Sequence, residues 1–495
     1  MDQLNSKIIS PEILKLIPKK TAIEFCVLPL SVSEQSIEVG LPEKYDQEIV
    51  NDLSFLLSKK ITVLTFPREI LFEAIQRNYD ISTLEMNKES SSKGIELLSV
   101  KENSEGKTEA TSDGSVVLLA NKIITEAIQL NASDIHVEPY EKLLRVRTRL
   151  DGVLHELMTL PVAKSRPLIS RLKIMADLDI AERRRPQDGR IRVKQNEKTI
   201  DIRVSTLPTD FGEKIVLRIL DKSHLNLQLT NLGFEENDLA LFQKTLHLPY
   251  GMILVTGPTG SGKTTTLYGA LNYINDSKVN ITTIEDPIEY NLPGINQTHV
   301  HAEIGLTFAN VLRSILRQDP NVIMLGEIRD YETAEIAVRA ALTGHLVLST
   351  LHTNDSLSAV TRLIDMGVEP FLVSSSVRLI IAQRLLRKIC PHCKEQYHPS
   401  KEELTELGIR ENGAQYFKGK GCSHCLNSGY KGRTATYEML NISAEMSELI
   451  VKRSSAKELH AQAHLEGFTT IRQNAILKAQ KGETTLYEVL RETAV

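Results

Sequence analysis

A multidomain α/β protein with a mostly parallel sheet in its largest domain is what this sequence predicts, and three observations carry the prediction. Between 229 and 385, short β-type apolar runs at 252–256, 281–284, 322–325 and 346–350 alternate with helical patterns such as 264–274 and 331–342. That alternation builds strand–helix–strand crossovers and parallel pairing. The first run leads directly into a glycine-rich turn at 257–265, read as GPTGSGKTT. Finally, 495 residues is enough for about three or four domains, each burying its own core.

Composition narrows the class. Apolar residues make up 41%, charged residues 25% and the formal charge is −4, which fits a globular protein and lacks the basic excess of a dedicated nucleic-acid binder. The N-terminus, MDQLNSKIISPEILK, has no basic stretch followed by an apolar core, and no apolar run is long enough to span a bilayer. A cytoplasmic protein is expected, with a peripheral seat on a membrane complex left open. Four of five cysteines form two C-x-x-C pairs, which in such a chain favours metal over disulfides. Cys26 lies in the apolar stretch 23–30 and reads as a small buried hydrophobe.

Taken in order, residues 1–80 mix helical and strand spacing and read as a small α/β module suited to docking on a partner. Residues 81–113 are polar and rich in Gly, Ser and Glu, the composition of a flexible linker. Residues 114–228 combine helical spacing at 116–130 with alternating runs at 143–150 and 199–204, predicting an α/β domain with an antiparallel sheet. That domain is rich in arginine, including Arg145, Arg147, Arg149, Arg190, Arg192, Arg203 and Arg218. Arginines beside a phosphate-binding domain suit phosphate clamping, although solvated strand faces also carry them. The parallel-sheet domain spans 229–385, a tetracysteine subdomain 386–435 and a helical region 436–495.

The chemistry gathers at the carboxyl ends of the parallel strands, where ligands bind in such sheets. The run Gly257, Pro258, Thr259, Gly260, Ser261, Gly262, Lys263, Thr264, Thr265 is a G-x-x-x-x-G-K-T phosphate loop. Its backbone amides cradle a phosphate chain, Lys263 supplies charge to the β- and γ-phosphates, and the Thr264 hydroxyl suits Mg²⁺. A second strand ends in Glu285, Asp286 and Glu289, carboxylates able to orient Mg²⁺ or deprotonate water. A polar Asp-Pro turn is the plainer reading of that stretch alone. A third ends in Gly326-Glu327, with glycine where an aspartate usually holds the metal, so Glu327 must act on the metal or its waters. His345 and His352 bracket a fourth strand and are placed to sense a γ-phosphate.

The series GPTGSGKTTT, TIEDPIEY, VIMLGEIRD and TGHLVLSTLHTND resembles the phosphate loop, aspartate box, Walker B and histidine box of the secretion ATPases that drive type II secretion and type IV pili. The likeness extends through ASDIHVEP, RRRPQDGR and DIRVSTLPT upstream and GETTLYEVLRET downstream, covering about 115–495. It implies a RecA-like ATPase core that binds ATP with Mg²⁺, with Lys263 and Thr264 on phosphate and metal. Glu327 would organise the metal, Glu289 act as general base, and His345 and His352 take the histidine-box roles. Arginines of the preceding domain, here Arg203 and Arg218, would reach the nucleotide and, in a hexameric ring, act across subunit boundaries. The family's output is force on an inner-membrane platform, with residues 1–80 contacting a bitopic membrane protein and the enzyme held peripherally at the inner membrane.

Cys390, Cys393, Cys422 and Cys425 read C-P-H-C and C-S-H-C, with 394–421 between them. Two such pairs converge on one tetrahedral Zn²⁺, and a helix at 401–408 can span the gap. The tetracysteine insertion favours secretion or filament assembly over retraction, and a single N-terminal module points toward type II secretion rather than type IV pilus assembly. A zinc-containing nucleic-acid motor is the alternative from another class; the acidic charge and the absence of a basic stripe interleaved with aromatics speak against nucleic acid. A non-hydrolysing scaffold is disfavoured by Lys263, Glu289 and Glu327.

Overall fold

The computed structural model describes residues 9–14, 16–17, 21–22, 25–33, 36–43, 49–50, 53–54, 60–79, 96–97, 114–195, 198–220, 227–409 and 414–494. The expected linker 81–113 lies outside them except for Glu96–Leu97, a short strand that pairs with Gln187–Gln195. The chain divides into two compact units, Met1–Ile95 and Glu96–Val495.

In the first unit, Leu28–Val32 runs antiparallel to Ser36–Pro42, which pairs in parallel with Lys60–Phe66. Strand alternation sends Ile37, Val39 and Leu41 into one core with Val27, Leu28, Leu71 and Ile75 from the turn, first strand and helix Arg68–Asn78. Cys26 is buried in that core, as its apolar setting predicts.

The second unit holds two seven-stranded sheets. The first is antiparallel and runs Glu96–Leu97, Gln187–Gln195, Lys198–Thr209, Gly212–Leu220, Asp134–Pro139, Leu143–Leu150 and Val153–Pro161. One face buries Ile191, Ile202, Val204, Leu217, Ile135 and Val146, with the helices Gly114–Gln129 and Ser165–Met175 packed against the sheet. Since side chains alternate along each strand, the other face collects the charged residues. Register sets Arg190, Arg203, Arg218, Asp134 and Arg149 side by side across five strands.

The second sheet runs Asn296–His299, Ile281–Glu285, Val322–Leu325, Leu346–Leu351, Gly251–Thr256, Val377–Ile389 and Tyr430–Asn441. Six strands are parallel, as the alternating pattern predicts, and the last is antiparallel. It is buried on both faces: Met252 and Leu254 face one core, Ile253 and Val255 the other. Here the architecture departs from a linear partition of the sequence. Val377–Ile389 runs past 385, and the boundary expected at 435 falls inside Tyr430–Asn441, which leaves the cysteine module and returns to the main sheet. Glu438 interrupts the apolar pattern of that strand. It is buried, and it accepts hydrogen bonds from the Ser356 amide and hydroxyl at 2.7 and 2.8 Å and from the Ile471 amide at 3.1 Å.

The cysteine module carries a two-stranded ribbon, Lys394–Tyr397 with Tyr416–Gly419, and the helix Lys401–Glu406, closed at its start by a Ser400/Glu403 capping box. Four helices, Ala444–Val451, Ala456–Leu465, Ile471–Gln480 and Leu486–Thr493, follow the last strand. The final two share a small core with Leu386, Leu404, Leu407 and Tyr416.

Candidate nucleotide site and metal centre

The phosphate loop joins the buried strand Gly251–Thr256 to the helix Lys263–Ile274. Two glycines in it are fixed by both conformation and space. Gly257 has φ 146° and a Cβ there would meet the Gln383 carbonyl at 2.5 Å; Gly262 has φ 90° and a Cβ would meet Gln383 Nε2 at 2.7 Å. Gln383 itself is a clamp on the loop. Its Nε2 donates to the Ser261 carbonyl at 2.6 Å, and its Oε1 accepts from the Thr266 hydroxyl at 2.7 Å. Sequence reasoning missed it, although a lone amide in the apolar run of Val377–Ile389 is the kind of buried polar group that must have partners.

Lys263 is buried, and its Nζ donates to the carbonyls of Gly257 at 2.8 Å and Pro258 at 3.1 Å. Burial pushes its pKa below the ordinary lysine value, opposed by the Glu327 charge and assisted by Arg384. The Ser261 hydroxyl is buried with no hydrogen-bond partner among the described residues. An orphaned donor beside a buried ammonium and a row of loop amides fits a phosphate chain. Pro258, Thr259, Gly260 and Thr264 are exposed at the loop's mouth and Thr265 is half-buried.

Glu327 ends the strand Val322–Leu325 beside Gly326. A Cβ at Gly326 would lie 3.3 Å from the Ile284 carbonyl and 3.5 Å from Glu285 Cα, so the neighbouring strand packs closely against this position. The Glu327 carboxylate pairs with Arg329 through Oε1 and with His352 Nε2 at 3.1 Å through Oε2. Burial pushes its pKa up, but Arg329 and His352 outweigh burial and hold the carboxyl below its ordinary value. Glu327 is therefore ionised and already engaged, which suits action on metal-bound water.

The aspartate box divides. Glu285 is buried and its oxygens accept from Tyr268, Thr283 and Gln297, so through Tyr268 it braces the phosphate-loop helix. Asp286 is exposed near Arg329. Glu289 stands forward, with its carboxylate 3.2 Å from Arg203 Nη2 and its amide 3.3 Å from the Tyr268 hydroxyl. Within the chain, Arg203 reaches the aspartate box of the same polypeptide. The second arginine, Arg218, is exposed and bonds Asp134 at 3.1 Å, one strand over from Arg203. His345 is not brought to the site. It precedes Leu346–Leu351 and its Nδ1 bonds the Ala340 carbonyl at 3.0 Å, at the opposite end of the sheet from His352. At about 3.3 Å per residue that is roughly 20 Å away.

The four cysteine sulfurs meet. Cys390 and Cys422 lie 3.9 Å apart, Cys393 and Cys425 3.8 Å, Cys422 and Cys425 3.7 Å, and all four lie within 4.8 Å of one another. A tetrahedron with Zn–S bonds of about 2.3 Å requires sulfurs about 3.8 Å apart, so the set fits zinc. The amides of Cys422 and Gly429 donate to Cys425 Sγ at 3.2 and 3.3 Å, stabilising a thiolate. His392 and His424 stack on each other at 4.0 Å.

Residues 109–491 match the family described as type II/IV secretion system protein, and residues 3–83 match the MshEN domain. The chain is 47% identical to a type IV pilus assembly ATPase, PilB, of Myxococcus xanthus, over 98% of this chain and 87% of that protein. It is 52% identical to the type II secretion system protein E of Pseudomonas aeruginosa, over 78% of this chain and 77% of that protein. Among solved structures, the pilus retraction motor PilT with bound ADP superposes with a TM-score of 0.51 at 28% identity, covering 76% of this chain and 96% of that one. No helix among the described residues is long and apolar enough to cross a membrane. With a family model matched over 109–491 and relatives 47% and 52% identical over 98% and 78% of its length, the chain belongs to the type II/IV secretion system ATPases.

Proposed function

We propose that this ATPase powers assembly of a type IV pilus, working as a homo-hexameric ring that presses on an inner-membrane platform while residues 1–80 hold a membrane partner. The observation that carries the reading is one of extent. The likeness to a pilus assembly ATPase runs through 98% of the chain, whereas the likeness to the type II secretion protein covers 78%. This shifts the balance from the type II secretion role that the single N-terminal module favoured, and the higher identity of 52% over the shared part keeps that role as the second reading. Disrupting the gene separates them. Loss of surface filaments with secretion intact is the expected outcome; loss of a secreted enzyme with filaments intact would make the protein a secretion motor.

In the catalytic cycle the phosphates of ATP would lie on the amides of 257–264, with Lys263 exchanging its loop carbonyls for the β- and γ-oxygens. Thr264, with Glu327 acting through bound water, would hold Mg²⁺, which supplies charge neutralisation on the phosphates. Glu289 takes the proton as the water oxygen bonds to the γ-phosphorus. The bond from that phosphorus to the β,γ-bridging oxygen breaks, and its electron pair leaves with ADP. For Glu289 to act as a base, Arg203 must give it up, and the developing charge on the phosphoryl oxygens offers the guanidinium a stronger partner. An arginine so placed is worth about 10³ to 10⁵ in rate. His352 would report the γ-phosphate to Glu327, and Arg218, in line with Arg203, would follow it. Cys390, Cys393, Cys422 and Cys425 would hold Zn²⁺ as a closed structural site.

A further inference from the structure

A cavity of about 600 Å³ opens between the arginine-rich sheet and the aspartate-box loop, lined by Arg190, Arg192, Arg203, Glu289, His299 and His301 among others. It is not the phosphate-loop cradle. His299 ends the outermost strand of the parallel sheet, four strands from Gly251–Thr256; at about 4.8 Å per strand step that is roughly 19 Å. Its wall carries three arginines against two carboxylates, Asp201 and Glu289. Of the three arginines, Arg192 is paired with Asp201 at 2.8 Å and Arg203 with Glu289, while Arg190 makes no ion pair or side-chain hydrogen bond among the described residues. Arg190 also sits directly opposite Arg203 in the strand register, with Arg218 on Arg203's other side. Like charges directly opposite in a sheet are destabilising; Arg203 and Arg218 are offset by Glu289 and Asp134, which leaves Arg190 as the uncompensated charge of the row among the described residues. Across the cavity, the His299 and His301 rings touch at 4.5 Å, adding imidazole groups to the guanidinium wall.

We infer that this cavity is a binding site for orthophosphate, the product of hydrolysis, on its way out. The inference rests on the ATPase reading, because Glu289 and Arg203 belong both to the reacting centre and to the cavity wall. Orthophosphate released beside Glu289 meets Arg203 first and Arg190 next, and planar guanidinium groups bind phosphate oxygens in pairs. The nucleotide's own terminal phosphate carries the same chemistry, so the test keeps ADP in place.

Orthophosphate is titrated calorimetrically into the full-length protein saturated with ADP and Mg²⁺, at constant ionic strength. The expected result is one orthophosphate bound per chain with ADP retained, and about tenfold weaker binding in Arg190→Gln with ADP affinity unchanged. Arg190→Lys, which keeps the charge but loses the fork, should fall between. Orthophosphate that binds only when ADP is absent, or equally well to Arg190→Gln and the unaltered protein, would overturn the site. ATP turnover is measured on the same samples. If it is missing while orthophosphate still binds through Arg190, the catalytic reading fails and the anion site stands.

Discussion

Gln383 holds the phosphate loop from a strand more than a hundred residues away in sequence. Both ends of its amide are used, by the Ser261 carbonyl and the Thr266 hydroxyl, and it is 2% exposed. Leucine in its place keeps the bulk but leaves two buried polar groups unpaired, at about 1–3 kcal/mol each. The loop would lose the brace that fixes its amides. Gln383→Leu should therefore weaken ATP binding by about tenfold, read by titration with a non-hydrolysable analogue, and lower the melting temperature; unchanged affinity would remove Gln383 from the site. Much of this scale was legible in the sequence. Lys263, Glu327, Glu289 and His352 follow from spacing and strand-end position, because a short motif fixes its own geometry. Gln383, Arg329 and Tyr268 were not legible, since what they do depends on register between strands far apart in sequence. His345 misleads for a related reason: it shares a motif with His352, but a strand of six residues, Leu346–Leu351, carries the two to opposite ends of the sheet.

At the scale of elements, the charged face of the antiparallel sheet is held by cross-strand pairs whose effect can be followed with pH. Glu138 accepts from Arg147 Nε at 2.8 Å and Nη2 at 2.9 Å, and from Lys214 Nζ at 2.9 Å. Burial raises its pKa, but these donors outweigh burial and bring it down to about 2, from an ordinary value of 4.5. Between those two values the unfolded chain takes up a proton that the folded chain does not, so stability falls as pH drops from 4.5 toward about 2. Glu138→Gln should lower stability above pH 5 and flatten that part of the profile in denaturant titrations; a profile as steep as the original would place the acid sensitivity elsewhere.

The cysteine module is an element in the same sense. Its sheet pairing is short, with the ribbon Lys394–Tyr397 and Tyr416–Gly419, and the Cys390 amide bonds the Gly429 carbonyl at 2.9 Å while the Lys420 amide bonds the Cys393 carbonyl at 2.9 Å. Those few bonds hold two knuckles whose sulfurs converge. Metal binding is then a large part of the module's folding energy. Purified protein should carry about one zinc per chain, and a strong chelator should release it, make four thiols reactive and expose 390–430 to proteolysis. Retained resistance after metal loss would show that the ribbon stands without it. The C-terminal helices are better anchored. Arg387 meets the fully buried Glu488 through Nη2 at 2.7 Å and stacks on the Tyr430 ring at 3.9 Å, so proteolysis should stop short of Ile471–Gln480 and Leu486–Thr493.

At the scale of the whole molecule, the question is which chain supplies the arginine. Strand–helix alternation gave away the parallel sheet, and the alternating runs at 143–150 and 199–204 gave away its antiparallel neighbour, but the return of Tyr430–Asn441 to the main sheet and the seating of Arg203 on its own aspartate box depend on tertiary register. In the proposed ring, that seating bears on which subunit's site Arg203 serves. If Arg203 serves the Glu289 of its own chain, at 3.2 Å, each subunit carries a complete set of catalytic groups and neighbours regulate it only by moving its two sheets. If it serves a neighbour, catalytic groups are split across chains. Subunit mixing distinguishes them. Lys263→Ala removes phosphate binding and Arg203→Ala removes the arginine, so each alone should be inactive. In a mixed assembly, an arginine acting between chains would let an Arg203→Ala subunit borrow one from its Lys263→Ala neighbour, restoring, at equal random mixing, about a quarter of the turnover of the unaltered protein. An arginine acting within the chain restores nothing, because every subunit lacks one or the other. The geometry predicts no recovery at any mixing ratio, and recovered turnover would show that Arg203 leaves Glu289 for the subunit next door.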